Sequence, residues 1–187
     1  PTEQLSLTEC SPPWETPSQG SVTFNTSIAE NCKRSDQPEV RKQAALSTLA
    51  EFPEPDITYF TDGSAEKGSS NGGGGIVKRR GNTTLSRWSI PAGRWTSSFR
   101  AEMLAIKEAL ADAHNLDPEM KSIHIYSDSL SSIQALSAGQ TNQKTKTATE
   151  VWDLCYALQR QNRDVTICWV PGHALIEGNE EADRAAN

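Results

Sequence analysis

The sequence predicts an α/β fold: a mixed five-stranded sheet flanked by helices, with an irregular N-terminal extension. Three observations support this. From Asp56 onward, short runs rich in β-branched and aromatic residues alternate with segments of helical periodicity. The first three runs follow one another with no helix between them, and two are separated only by Gly81-Asn82, a hairpin-type pair. The 187 residues suffice for one globular domain plus a modest extension, and an apolar fraction of 35% is compatible with a core.

Residues 1–55 are rich in Pro, Ser, Thr, Gln and Glu and are broken by "SPPWETP" and "SDQPE", so they are expected to be an irregular linker. Their one helical candidate runs from Glu39 to Ala50, and Trp14 and Phe24 are available as anchors. The domain proper is expected over residues 56–187. It opens with the strand "DITYFTD", followed by "GGIVKRR" and "TTLSRWSI" on either side of the turn pair. "SSFRAEMLAIKEALADAH" is a helix, because Phe99, Met103, Ile106 and Leu110 fall on one stripe with good helix formers between them. "SIHIYSD" is the next strand, and "SLSSIQALSAG" a short helix stopped by Gly139. "TATEVWDLCYALQRQ" is a longer helix, "DVTICWV" a strand, and "GNEEADRAAN" the start of a last helix, expected to be truncated at Asn187. The order is βββαβααβα.

No run approaches the ~18 apolar residues of a membrane helix, and the first residues lack the features of a signal peptide, so a soluble, intracellular protein is expected. Cys10, Cys32, Cys155 and Cys168 form no CxxC pair, and reduced structural thiols follow. The net charge of −6 argues only weakly against a nucleic-acid partner. Residues 1–55 carry 4 basic and 8 acidic side chains and residues 56–187 carry 14 and 16, so the domain itself stands at −2 and two bound dications would make it positive.

Acids stand where acids are expensive. Glu102 lies three residues after Phe99 and four before Ile106, on the stripe facing the sheet, where an unpaired carboxylate costs several kcal/mol. Asp62 and Asp128 each follow an apolar strand directly, at the crevice where ligands of open α/β sheets bind. Asp183 sits in an alanine-lined helical segment. Singly, each has an ordinary reading: a stripe edge reaching solvent for Glu102, a turn for Asp62-Gly63, a helix cap for Asp128, a solvated helical acid for Asp183. Together they can converge at one sheet edge as an oxygen-only shell for Mg²⁺ or Mn²⁺. Two such cations can activate a water and stabilise the leaving oxygen in phosphodiester cleavage. The glycines at 72–75 are no Walker loop, since a strand and not a Lys-bearing helix follows them; their expected role is to let a broad ligand lie close to the sheet edge.

"YFTDGS", "FRAEMLAIKEAL", "IYSDSLSSIQAL" and "WVPGHALIEGNEEAD", in this order and spacing, resemble the ribonuclease H family over roughly residues 56–187. "FRAEMLAI", "CWVPGH" and the upstream "LTECSPPWE" are similar to the ribonuclease H segment of non-LTR retrotransposon polyproteins, in particular those of trypanosomatid type. The resemblance implies a ribonuclease H-like fold and hydrolysis of the RNA strand of RNA/DNA hybrids with two Mg²⁺ ions, for which Mn²⁺ can substitute. It implies a reverse transcriptase domain of the same polyprotein as partner. It makes Asp62, Glu102, Asp128 and Asp183 the metal-binding acids and His173 a loop histidine that assists proton transfer or product release, with Glu177 as its partner. Asn179 and Glu180 of the same motif read as helix-start residues.

Hybrid contacts are expected from Gly63, Ser64 and the 72–75 glycines toward 2′-hydroxyls, and from Ser98, Arg100, Lys144 and Lys146 toward the backbone. Three departures bear on activity. Leu175 stands where the family has glycine; Ser98-Phe99 replaces polar amides; and only Lys144 and Lys146 stand near the place of a basic protrusion. A catalytically impaired hybrid-binding domain is therefore the alternative to an active endoribonuclease, and an integrase-like enzyme of the same superfamily fold a third reading.

Overall fold

A computed structural model describes residues 21–28, 32–33, 35–66 and 70–186. The strands are β1 (Val22–Asn25), β2 (Ile57–Glu66), β3 (Ser70–Arg80), β4 (Thr83–Gly93), β5 (Ser122–Ser127) and β6 (Asp164–Trp169). The α-helices are α1 (Pro38–Leu49), α2 (Ser98–His114), α3 (Leu130–Ser137), α4 (Lys146–Arg160) and α5 (Glu177–Ala186). The sheet order is β1-β6-β5-β2-β3-β4. β2, β3 and β4 form the antiparallel meander required by two short connections, the second turning at Gly81 with φ +54°. β2, β5, β6 and β1 pair in parallel, with helices making the crossovers.

The five expected strands are present, but among the described residues the sheet has six. The extra strand comes from the segment expected to be irregular: Val22-Thr23-Phe24-Asn25 pairs with Val165 to Cys168. Four residues in a Pro- and Ser-rich context give no sequence signal, and here the exposed edge of β6 supplies the ladder. Phe24 packs on the core with its ring 5.5 Å from that of Trp152. The helical candidate at 39–50 is α1, which starts on Pro38, a favourable first-turn residue. Trp14 and Cys10 lie outside the described residues.

Alternation along the central strands sends successive residues to opposite faces. Tyr59, Ile76, Ile125 and Ile167 join Met103, Ile106 and Leu110 of α2 and Val151, Cys155 and Leu158 of α4 in one core. Their neighbours Phe60, Val77, Tyr126 and Cys168 pack on the other face, against Ala45 and Leu49 of α1, Phe52 just after it, and Ala182 of α5. The N-terminal helix is thus one of the two helices covering that face. Phe99, assigned to the buried stripe of α2, is instead 37% exposed, because it sits in the first turn beyond the sheet edge; Met103, Ile106 and Leu110 are buried as expected.

The glycine run also differs from expectation. Residues 72–75 lie inside β3, and a Cβ at Gly75 would stand 2.1 Å from the Ala182 carbonyl oxygen and one at Gly73 2.7 Å from that of Ala186. The space at Gly73 and Gly75 is filled by the α5 backbone, and that at Gly72 and Gly74 by the side chains of Thr96, Ala105 and Ile90, not by a ligand. Cys32, Cys155 and Cys168 are free, and burial pushes the Cys155 and Cys168 thiols up to about 12, which leaves them inert. Among the described residues no helix is long and apolar enough to cross a membrane.

Candidate active site

Asp62 does not end its strand. β2 continues through it to Glu66, so Asp62-Gly63 is no turn, and Asp62 pairs with Gly75 on the β3 side. On the other side the parallel pairing of β2 with β5 ends at Thr61 and Ser127. Asp62 and Asp128 are the next residues of the two strands, which brings their side chains together where the sheet splays. The third acid comes from above. A Cβ at Gly63 would lie 2.1 Å from the backbone nitrogen of Glu102, so α2 rests directly on β2 and Glu102 is only 7% exposed. Asp62, Glu102 and Asp128 each offer a carboxylate oxygen within 4.8 Å of the others. Glu102 is therefore no solvent-facing stripe edge. Asp128 is no helix cap either, since Ser129 takes that position in α3 and its side chain makes no capping bond. Instead the Asp128 carboxylate is hydrogen-bonded to Asp62 and Asn179, and its backbone carbonyl accepts from Trp169 Nε1 at 3.1 Å.

Three carboxylates this close cannot all be charged without compensation. Burial, then the charges of Asp128 and Asp183, push the Asp62 carboxyl up to about 7. Burial and the neighbouring Asp62 and Asp128 hold Glu102 well above the carboxylate range, against the opposing pull of the Gly63 N–H and the Ser127 hydroxyl. Asp128 is raised by burial, with its bonds to Asp62 and Asn179 and the charge of His173 working the other way. Glu102 Oε2 is buried with no hydrogen-bond partner. A desolvated, donorless carboxylate oxygen within a ring of other carboxylate oxygens fits a hard divalent cation. Asp183, on α5, is half-buried and near enough to raise Asp62 electrostatically, but it is not one of the three mutually close acids.

His173 is exposed on the loop between β6 and α5, next to this cluster. Gly172 lets the loop lie against Asp128, whose Oδ2 would be 2.4 Å from a Cβ there. Ala174 and Ile176 anchor the loop in the second core, while His173 and Leu175 point outward. Glu177 does not partner His173 as expected; its carboxylate accepts from Arg79 Nη2 at 2.9 Å. His173 and Leu175 both have left-handed backbones, with φ of +50° and +55°. The suspicion attached to Leu175 is thus met by its geometry: a non-glycine residue there costs about 1 kcal/mol. Leu175→Gly is expected to raise the turnover for RNA/DNA hybrid several-fold and to stabilise the fold by ~1 kcal/mol, with the Mg²⁺ midpoint unchanged. Steady-state rates at varied Mg²⁺ check this, and a shifted midpoint would mean that the loop shapes the metal site itself.

The expected nucleic-acid contacts are less uniform. Gly63 is buried in β2, and the Ser64 hydroxyl donates to the Ala186 carbonyl at 2.7 Å, so both help position the site. Ser98 and Arg100 lie on the first turn of α2, with Arg100 exposed. Lys144 is exposed, and Lys146 is 90% exposed and 3.7 Å from Glu150, at the start of α4. Two site residues escaped the sequence reading. Asn179 lies at the helix start as expected, in the first turn of α5, but it is also 2% exposed and bonded to Asp128. Its signal was the four-residue spacing to Asp183, which puts both on one face of α5. Ser127 is fully buried beside Glu102, and only its position directly before Asp128 hinted at a role.

Comparisons with known proteins agree with this geometry. The family model described as RNase H matches residues 54–187. A ribonuclease H of Syntrophus aciditrophicus (strain SB) is 30% identical over 152 residues, covering 73% of this chain and 82% of that protein. The Gag-Pol polyprotein of baboon endogenous virus (strain M7) is 30% identical over 157 residues, of which this chain spans 8% of the length. The crystal structure of LC11-RNase H1 in complex with RNA/DNA hybrid superposes with a TM-score of 0.57 at 19% identity, covering 70% of this chain and 94% of that one.

Proposed function

This chain belongs to the ribonuclease H family, and from that premise we propose that it is a divalent-metal-dependent endoribonuclease that hydrolyses the RNA strand of RNA/DNA hybrids during reverse transcription. The observation that supports this most is the triad of Asp62, Glu102 and Asp128 with its buried, donorless Glu102 Oε2. The similarity to a Gag-Pol polyprotein supports a setting in which a reverse transcriptase domain of the same polyprotein is the partner.

In this reading Asp62, Glu102 and Asp128 would hold two Mg²⁺ ions, with Asp183 completing the set and Mn²⁺ as substitute. When bound, such ions supply charge to the phosphate and lower the pKa of water. The chain's own residues do the rest. Asn179 fixes the rotamer of Asp128, and Ser127 and the Gly63 N–H fix that of Glu102. Desolvation of the cluster keeps bulk water from screening it. His173, free to reach solvent, takes up or delivers a proton at an imidazole nitrogen near the leaving oxygen. Ser98 and Arg100 at the start of α2 and the more distant Lys144 and Lys146 touch the hybrid backbone, giving salt-dependent affinity. Of the residues expected to meet 2′-hydroxyls in the wide minor groove, the half-buried Ser64 stays a candidate through its main chain, whereas Gly63 is buried and serves the acid cluster.

A substrate panel tests this reading. RNA paired with DNA is expected to be cut on the RNA strand, double-stranded RNA at least tenfold more slowly, and duplex DNA not at all. Equal cutting of duplex DNA would remove the 2′-hydroxyl argument and favour the integrase-like reading. Tight binding of hybrid without cleavage would favour the impaired domain, for which the left-handed Leu175 is the supporting observation.

A further inference from the structure

We infer that Arg41, on the helix preceding the family-matched region, positions the His173 loop for cleavage, so that the N-terminal extension completes the active site of this chain. The loop is held in a backbone form that it does not prefer. Two of its non-glycine residues, His173 and Leu175, have φ of +50° and +55°. Such conformations persist only where surrounding contacts over-determine them. Inside the loop those contacts are apolar, through Ala174 and Ile176, which are 1% and 6% exposed. The polar contacts come from outside. Arg41 Nη1 donates to the Gly172 carbonyl at 2.9 Å, and Arg41 Nη2 donates to the His173 carbonyl at 3.1 Å. One guanidinium thus grips two successive peptide groups of the loop, including that of the histidine.

The geometry of a fork suits this task. Two donors in one rigid plane fix the orientation of both carbonyls, which a single ammonium cannot do. Arg41 is itself placed by burial. α1 packs through Ala45 and Leu49 on the same face as Ala174 and Ile176, and Arg41 Nε is buried. On its far side the loop meets the cluster, since Gly172 lies against the Asp128 carboxylate. The loop is therefore clamped between Asp128 and Arg41. The family match begins at residue 54, so the Arg41 side of this clamp lies outside the family-matched region. It also revises the expectation that residues 1–55 are an irregular linker.

The inference rests on the proposed role of His173, and its test separates the two. In the full chain, Arg41→Met keeps the length of the side chain and removes both donors. It is expected to lower turnover on hybrid on the order of tenfold, with KM and the Mg²⁺ midpoint unchanged, and to accelerate amide exchange in residues 172–176 while β5 and β6 keep their protection. In a His173→Ala background the same change is expected to cost nothing further. Arg41→Lys, which keeps the charge without the fork, is expected to recover only part of the loss. Equal losses in both backgrounds, or an unchanged rate, would overturn the inference, because Arg41 would then act on stability alone or not at all. Should Arg41→Met fail to fold, Arg41→Lys is carried through the same cycle with the same criteria. If wild type cleaves no hybrid, the proposed function fails while the exchange measurement still decides: faster exchange at 172–176 sustains the clamp, and unchanged exchange overturns it.

Discussion

Asp62→Asn is expected to lower hybrid cleavage by on the order of a thousandfold or more while leaving the metal-free fold at least as stable as wild type. Both halves follow from one arrangement. Asp62 is buried, hydrogen-bonded to Asp128 and within reach of the charge of Asp183, so the amide removes repulsion while nearly preserving shape. The pH dependence gives a second reading of the same cluster. The folded-state pKa of about 7 lies above the ordinary value of 3.8, so the native protein holds a proton that the unfolded chain has already released. Stability is therefore fully present below about pH 4 and lost as pH rises toward about 7, at up to ~1.4 kcal/mol per pH unit for one proton. Saturating Mg²⁺ is expected to flatten this slope in wild type, and Asp62→Asn to shrink it without metal. Thermal melting between pH 4 and 8, with and without Mg²⁺, checks this. An equal Mg²⁺ gain in wild type and variant would remove Asp62 from the metal site.

Gly63→Ala is expected to give the largest loss of stability. The added methyl would stand 2.1 Å from the Glu102 nitrogen and 2.5 Å from the Ala101 carbonyl carbon, both backbone atoms of a helix packed into the main core. No side-chain rotation relieves such a clash. Either α2 moves off β2 or the strand bends, at ~3 kcal/mol or more. Because Glu102 rides on that helix, activity is expected to fall even in molecules that remain folded. Urea unfolding combined with cleavage per folded molecule separates the two. A neutral effect on both would show that the helix-strand contact is looser than this geometry.

Much of this was legible in the sequence because the signals were local. The five domain strands, the Gly81 turn and the amphipathic helices each announce themselves within a dozen residues. Three of the four acids stood out because Glu102 broke an apolar stripe and Asp62 and Asp128 closed apolar runs. The misses were set by partners distant in the chain. β1 has four residues and exists because β6 has a free edge. The glycines at 72–75 look like a ligand cradle until α5, more than a hundred residues later, is seen to fill the space at Gly73 and Gly75. Glu177 turned to Arg79 and not to His173, since Arg79 on β3 approaches only in the folded sheet. Asn179 and Arg41 are polar residues in unremarkable helical contexts, and only their targets, the Asp128 carboxylate and the His173 carbonyl, reveal what they do.

The central claim is that the carboxylate triad is a divalent-metal site serving hydrolysis of RNA in a hybrid. Cleavage of an end-labelled RNA strand annealed to DNA, by the wild-type chain with Mg²⁺ and with EDTA, tests it most directly. The expected result is internal cutting of the RNA with Mg²⁺, none with EDTA, and recovery when Mg²⁺ is returned. Cutting that persists in EDTA, or a Mg²⁺-treated protein that leaves the RNA intact, would contradict it.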